Sequence, residues 1–212
     1  MKLSFHHCFL GVFLAAELSR AGLVYPPAPE DGPNVVRTNA ARILQHDPKF
    51  LNGYRLDELT VDAPFRDYGF GPSNLLAGRL LSGASGGGWT YLLRHGDDVA
   101  GAEGLFVDPA DKNALKFNGL YQSNFSREFA EAMRQAAQWP QVKAHDYEVR
   151  RLDSAPLHFV ALWLHAQADD IIVPLPPTFG RLPPYQPCTE ADVIRALKPD
   201  SRKVLAAPKE FR

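Results

Sequence analysis

The sequence predicts an α+β domain: a mostly antiparallel sheet of about five to six strands, with about two to three helices packed on one side of it. Three observations lead there. Trp89 to Arg94 and Val99 to Val107 are rich in aromatic and branched residues and flank the polar turn His95-Gly96-Asp97-Asp98, the pattern of a β-hairpin. Phe129, Ala132, Met133 and Ala136 recur at i, i+3, i+4 and i+7, the stripe of an amphipathic helix. Leu157 to His165 is apolar on both alternating sets of side chains, as befits a strand inside a sheet covered on both faces.

The chain's 212 residues suit one domain with a substantial core, and its 45% hydrophobic and 22% charged residues argue against disorder. A net charge of −1, with no basic stripe, excludes an ordinary nucleic-acid binder, which needs cations to exchange for phosphate counterions. The 18 prolines and 16 glycines call for many turns. Cys8 and Cys188 are the two cysteines. Cys188 has no neighbouring His or Lys in sequence to activate it and reads as an inert structural thiol.

Taking the elements in order, residues 1–24 are either a secretory signal peptide or an N-terminal helix. Lys2 supplies a positive start, Phe9 to Ala16 an apolar run and Ser19-Arg20-Ala21 a small-x-small cleavage site. The apolar run is too short to span a bilayer, which takes about 20 apolar residues. Export would make the protein periplasmic or secreted, and an uncleaved N-terminus would make it cytoplasmic. Residues 25–50 form a stiff Pro-rich linker, Tyr25 to Pro33, and a short helix capped by Thr38 or Asn39 and stopped by Pro48. A single domain then covers 51–199.

Within that domain, Arg55 to Phe70 reads as one or two short strands at a sheet edge, because Pro64 interrupts it. Leu75 to Leu81 is a strand or a helical turn, and glycine-rich Ser82 to Gly88 is a loop. After the hairpin, the helix Ser126 to Trp139 ends at Pro140. Tyr147 to Leu152, Leu157 to His165 and Ile171 to Leu175 are strands, and Pro176 to Pro187 is an extended connector. Thr189-Glu190-Ala191-Asp192 is a capping box that opens a helix closed by Pro199, and 200–212 is a charged, frayed tail.

Two short motifs carry chemistry. Gly83-Ala84-Ser85-Gly86-Gly87 fits G-x-S-x-G and so resembles the nucleophile elbow of the α/β-hydrolases. That resemblance implies Ser85 as nucleophile, with Asp108 or Asp146 and His158 or His165 as partners. The helix that should follow the serine is missing, however, and a glycine loop explains the same residues. Arg94-His95-Gly96 after a strand resembles the entry motif of the histidine phosphatases, in which the histidine is phosphorylated and the arginine holds the phosphate. It covers three residues, and the parallel sheet of that family is not indicated.

No metal ligand set stands out. His158 and His165 fall on opposite faces of a strand, and Asp108 to Asn113 lacks the carboxylate spacing of a calcium loop. No cofactor is indicated. Trp89, beside the glycines, is the surface candidate for a ligand. The expectation is therefore a non-enzymatic accessory, binding or protein-interaction domain of bacterial type. It would hold a protein or small molecule near Trp89, Arg94 and His95, or along a free edge near Leu157 to His165. The alternative is a small hydrolase, esterase-like through Ser85 or phosphatase-like through Arg94 and His95.

Overall fold

The computed structural model describes residues 22–62, 64–107, 115–122, 124–178 and 181–207. Residues 1–21, on which the expectation of a signal peptide or N-terminal helix falls and which include Cys8, the run Asp108 to Asn113 and the last five residues of the tail lie outside them. The described chain is α+β. In order its elements are β1 (Leu23–Val24), α1 (Gly32–His46), β2 (Thr60–Val61), β3 (Phe65–Gly69), α2 (Pro72–Leu76), β4 (Ser85–His95) and β5 (Asp98–Val107). Then come β6 (Leu115–Tyr121), α3 (Asn124–Ala136), α4 (Pro140–Ala144), β7 (Tyr147–Ser154), β8 (Phe159–His165), β9 (Asp170–Pro174) and α5 (Glu190–Ala206).

Among the described residues the nine strands join one sheet, ordered β6-β5-β4-β3-β7-β8-β9, with β1 on β7 and β2 on β4. The sheet is larger than the sequence suggested and it is mixed. β3 runs parallel to β7, as does β1, while every other pair is antiparallel. The parallel pairing joins strands separated by three intervening strands and three helices, and no local turn chemistry announces such a contact. β3 is accordingly central, not an edge. Pro64 precedes its first residue and so takes no place in the ladder.

Helices cover both faces, which revises the one-sided packing. Along β8, Leu162 and Leu164 pack with Phe129, Ala132 and Met133 of α3. The alternate residues Ala161 and Trp163 pack with Val193 and Leu197 of α5. On that second face, α1 covers the other half of the sheet through Val36 and Ala40 against Trp89, Tyr91 and Leu93. Each large side chain so buried contributes about 1.5–3 kcal/mol. Phe129 is fully buried and stacks on Phe65 of β3 at 4.2 Å.

Local chemistry explains several boundaries that the sequence misplaced. α1 begins at Gly32, not at Thr38, because Pro33 in its first turn supplies a preset φ and needs no donor. α2 settles Leu75 as helical. α5 runs through Pro199 to Ala206, since the proline sits on an exposed face while buried Ser201 donates to the Leu197 carbonyl at 3.0 Å. The capping box is present: Thr189 Oγ1 accepts from the Asp192 N–H at 3.2 Å, and Asp192 accepts from the Thr189 N–H at 3.1 Å. No helix among the described residues is long and apolar enough to cross a membrane.

Candidate functional site

The glycine run is strand, not loop, and that decides where Ser85 stands. Ser85 pairs with Gly69, Gly86 with Tyr68 and Gly88 with Asp67 across β3 and β4. The glycines are there for close packing: a Cβ on Gly88 would lie 2.3 Å from the Leu105 carbonyl oxygen of β5. Asn74 of α2 fixes the approach, accepting from the Gly71 N–H at 2.9 Å and donating to the Gly83 carbonyl at 3.0 Å. Ser85 is therefore the first residue of an extended strand, without the strand-to-helix turn of a nucleophile elbow. Its hydroxyl is exposed, and its hydrogen bond goes to the Gly69 carbonyl at 3.5 Å.

The other motif lies at the far end of the same strand. Ten residues of extended chain put His95 about 30 Å from Ser85. Arg94 and His95, adjacent on the strand, point to opposite faces. Arg94 pairs with Asp62 and lines a cleft of about 730 Å³ against α3. His95 is exposed, with its ring stacked on Tyr54 at 4.2 Å. The structure thus brings Ser85, Arg94 and His95 to three separate places. Trp89 is a core residue, 7% exposed, because α1 covers its face of the sheet, and it does not form the surface platform that its glycine neighbours suggested. Leu157 to His165 lies inside the sheet on β8 and the turn before it, so it offers no free edge.

What gathers around Ser85 is a polar cleft of about 310 Å³ at the end of the α3-covered face. Its wall is Asp67 on β3 beside Arg151 and Asp153 on β7. Asp67 and Arg151 are direct partners across the parallel pair, and Asp153 lies two residues on, hence on the same face. Thr90 Oγ1 donates to Asp67 Oδ2 at 2.8 Å. An Arg151 amino nitrogen stands 3.7 Å from Asp67 Oδ1, too long for a hydrogen bond, because the guanidinium is drawn to Asp153 and over the Phe125 ring at 4.9 Å. Asp67 Oδ1 and Arg151 Nε are consequently buried with no hydrogen-bond partner among the described residues. Burial raises the Asp67 carboxyl above its ordinary pKa, and the Arg151 charge opposes that rise only in part.

The opposite wall is β6. Asn118 is the extra residue of a β-bulge, since Gly119 and Phe117 flank it opposite Gly104 and Leu105. Tyr121 folds back over the Gly104–Gly119 pair: a Cβ on Gly119 would meet its hydroxyl at 2.5 Å, and one on Gly104 would meet its ring at 3.7 Å. The ring is 44% exposed. The outer edge of β6 has no strand beside it among the described residues, and Phe117 there is 45% exposed.

No group of His, Cys, Asp and Glu able to hold a metal ion occurs among the described residues. His165 is held by Asp170 at 2.7 Å, and Cys188 is buried in a bridge to Ile172, where burial raises its thiol pKa. Asp67, Arg151 and Tyr121 were absent from the sequence candidates. The usable signal was an aspartate set among the aromatic residues Phe65, Tyr68 and Phe70, since a carboxylate buried among them demands a partner. Compared with protein-family models, with curated proteins and with solved structures, the chain finds no match in any of the three.

Proposed function

We propose that the chain is a non-enzymatic binding domain that takes an extended polypeptide segment along β6. The observation that carries this reading is the outer edge of β6, with Phe117 and Tyr121 exposed beside it. An edge with no strand beside it among the described residues offers main-chain donors and acceptors, and flanking aromatic side chains give selectivity among partners. The Asn118 bulge and the Lys116 charge act against indiscriminate pairing, as on other natural edges.

The test is selection of random displayed peptides against the full chain, repeated with Phe117→Lys. Peptides that bind the parent and lose at least about tenfold on the variant are expected. Selected peptides that ignore the substitution would remove the reading. Ester and phosphomonoester hydrolysis is assayed beside it, with Ser85→Ala and His95→Ala. Turnover abolished by either change in a folded protein would replace the binding domain with a hydrolase.

A further inference from the structure

The cleft between Asp67 and Tyr121 borders the β6 edge and shares Tyr121 with it, but its polar wall lies on β3 and β7 and its chemistry is specific. We propose that it binds a neutral polyhydroxylated ring, a pyranose sugar. Three features select that class. The first is a pair of buried atoms on two of its lining side chains that have no hydrogen-bond partner among the described residues, an acceptor at Asp67 Oδ1 and a donor at Arg151 Nε. Leaving both without a hydrogen bond is unfavourable in folding. A ligand that answers them must bring a donor and an acceptor on neighbouring atoms, as vicinal hydroxyls do.

The second feature is charge. An anion entering the cleft would face Asp67 and Asp153, and a cation would face Arg151, which already spans the two carboxylates. A neutral ligand meets neither cost, and it leaves the Asp153–Arg151 pair intact. The third is Tyr121. Its ring lies over the glycine pair Gly104 and Gly119, beside the Asn118 side chain, with a large part of its surface open. A flat aromatic face of that kind packs against the C–H face of a sugar ring while the ring's hydroxyls reach the polar wall. Asn118 on the same rim adds an amide that donates and accepts, and the volume of about 310 Å³ is at the small end of ligand sites, suited to one ring.

The experiment titrates the full chain with methyl glucopyranoside, methyl galactopyranoside and methyl mannopyranoside, reading saturation-transfer NMR and calorimetry. Inorganic phosphate and free arginine serve as charged probes. At least one glycoside should bind with a Kd on the order of 1 mM, as a single small ring allows. Tyr121→Ala and Asp67→Asn should each weaken it at least about tenfold, while Phe117→Lys leaves it unchanged. Because Asp67 is buried, the exposed Tyr121→Ala decides the matter if Asp67→Asn does not fold. No glycoside binding, binding indifferent to Tyr121→Ala, or phosphate or arginine binding that Tyr121→Ala weakens in place of a glycoside, would overturn the proposal. Loss of peptide docking on Phe117→Lys has no bearing on these titrations, so the two readings fail separately.

Discussion

Arg66 and Arg150 are direct partners across the parallel strands β3 and β7, and each lies against a tryptophan of the strand beyond. Arg66 sits 5.2 Å over Trp89, and Arg150 sits 4.6 Å over Trp163. The register Trp89–Arg66–Arg150–Trp163 crosses the four central strands on one face, at the seam between the areas covered by α1 and α5. Two like charges side by side are unfavourable, and the aromatic faces together with Glu148, 2.7 Å from Arg150, offset that cost.

The two arginines should not weigh equally. Arg150 is mostly buried and also lies over Tyr68 at 4.9 Å, whereas Arg66 is exposed and has no carboxylate partner among the described residues. Arg150→Ala should cost about 1–3 kcal/mol, and Arg66→Ala within about 0.5 kcal/mol, in urea unfolding followed by tryptophan fluorescence. Equal losses would mean that the row does not act through packing on Trp163.

Stability should fall with rising pH through Glu103. This fully buried carboxyl faces α1, where Asn39 donates to its Oε1 at 2.8 Å and Oε2 has no partner among the described residues. Burial pushes its pKa from 4.5 up to about 7. Between those values the folded chain keeps a proton that the unfolded chain has released, so unfolding gains with each step in pH. The loss amounts to at most about 3 kcal/mol, complete above pH 7 and absent below 4.5. Glu103→Gln should flatten this part of the pH profile of the urea midpoint. A slope that survives the substitution belongs to another group.

The glycines of β4 should differ sharply among themselves. A Cβ on Gly88 meets backbone at 2.3 Å, while one on Gly87 meets nothing within 4 Å. Gly88→Ala should therefore cost about 2 kcal/mol or more, and Gly87→Ala within about 0.5 kcal/mol, by thermal unfolding. If Gly88→Ala were neutral, the close approach of β4 and β5 there would be wrong.

Tyr91→Phe should be neutral or stabilising by up to about 1 kcal/mol. The Tyr91 hydroxyl is buried without a hydrogen-bond partner among the described residues, and burial alone pushes its pKa up to about 12. A Cβ on Gly32 would lie 1.8 Å from that hydroxyl, so Gly32→Ala should be costly. Combined with Tyr91→Phe, part of that cost should be recovered in a double-mutant cycle. An additive pair would show that α1 does not rest on Tyr91.

Much of the local structure was legible in sequence because its causes are local. The Phe129–Met133 stripe became α3, the polar turn at Gly96 joined β4 to β5, and Thr189 capped α5. The site was legible only in one residue, Ser85, and for the wrong reason. A glycine run reads as a loop by composition, and here it is a strand because β3 and β5 press against it. Trp89 looked like a surface ring for the same reason, since nothing nearby in sequence announces that α1 will cover it.

The sequence by itself determined the α+β class, the amphipathic helix, the hairpin and the interior position of β8, since periodicity and turn residues act over a few neighbours. Only the tertiary structure decided that β3 would lie parallel to β7, between β4 and β7 in a mixed sheet. That single long-range pairing places Asp67 opposite Arg151 and Arg66 opposite Arg150, although some eighty residues separate each pair along the chain. The cleft and the arginine row are both consequences of register between distant strands, which depends on packing over the whole core and leaves no signature in either strand alone.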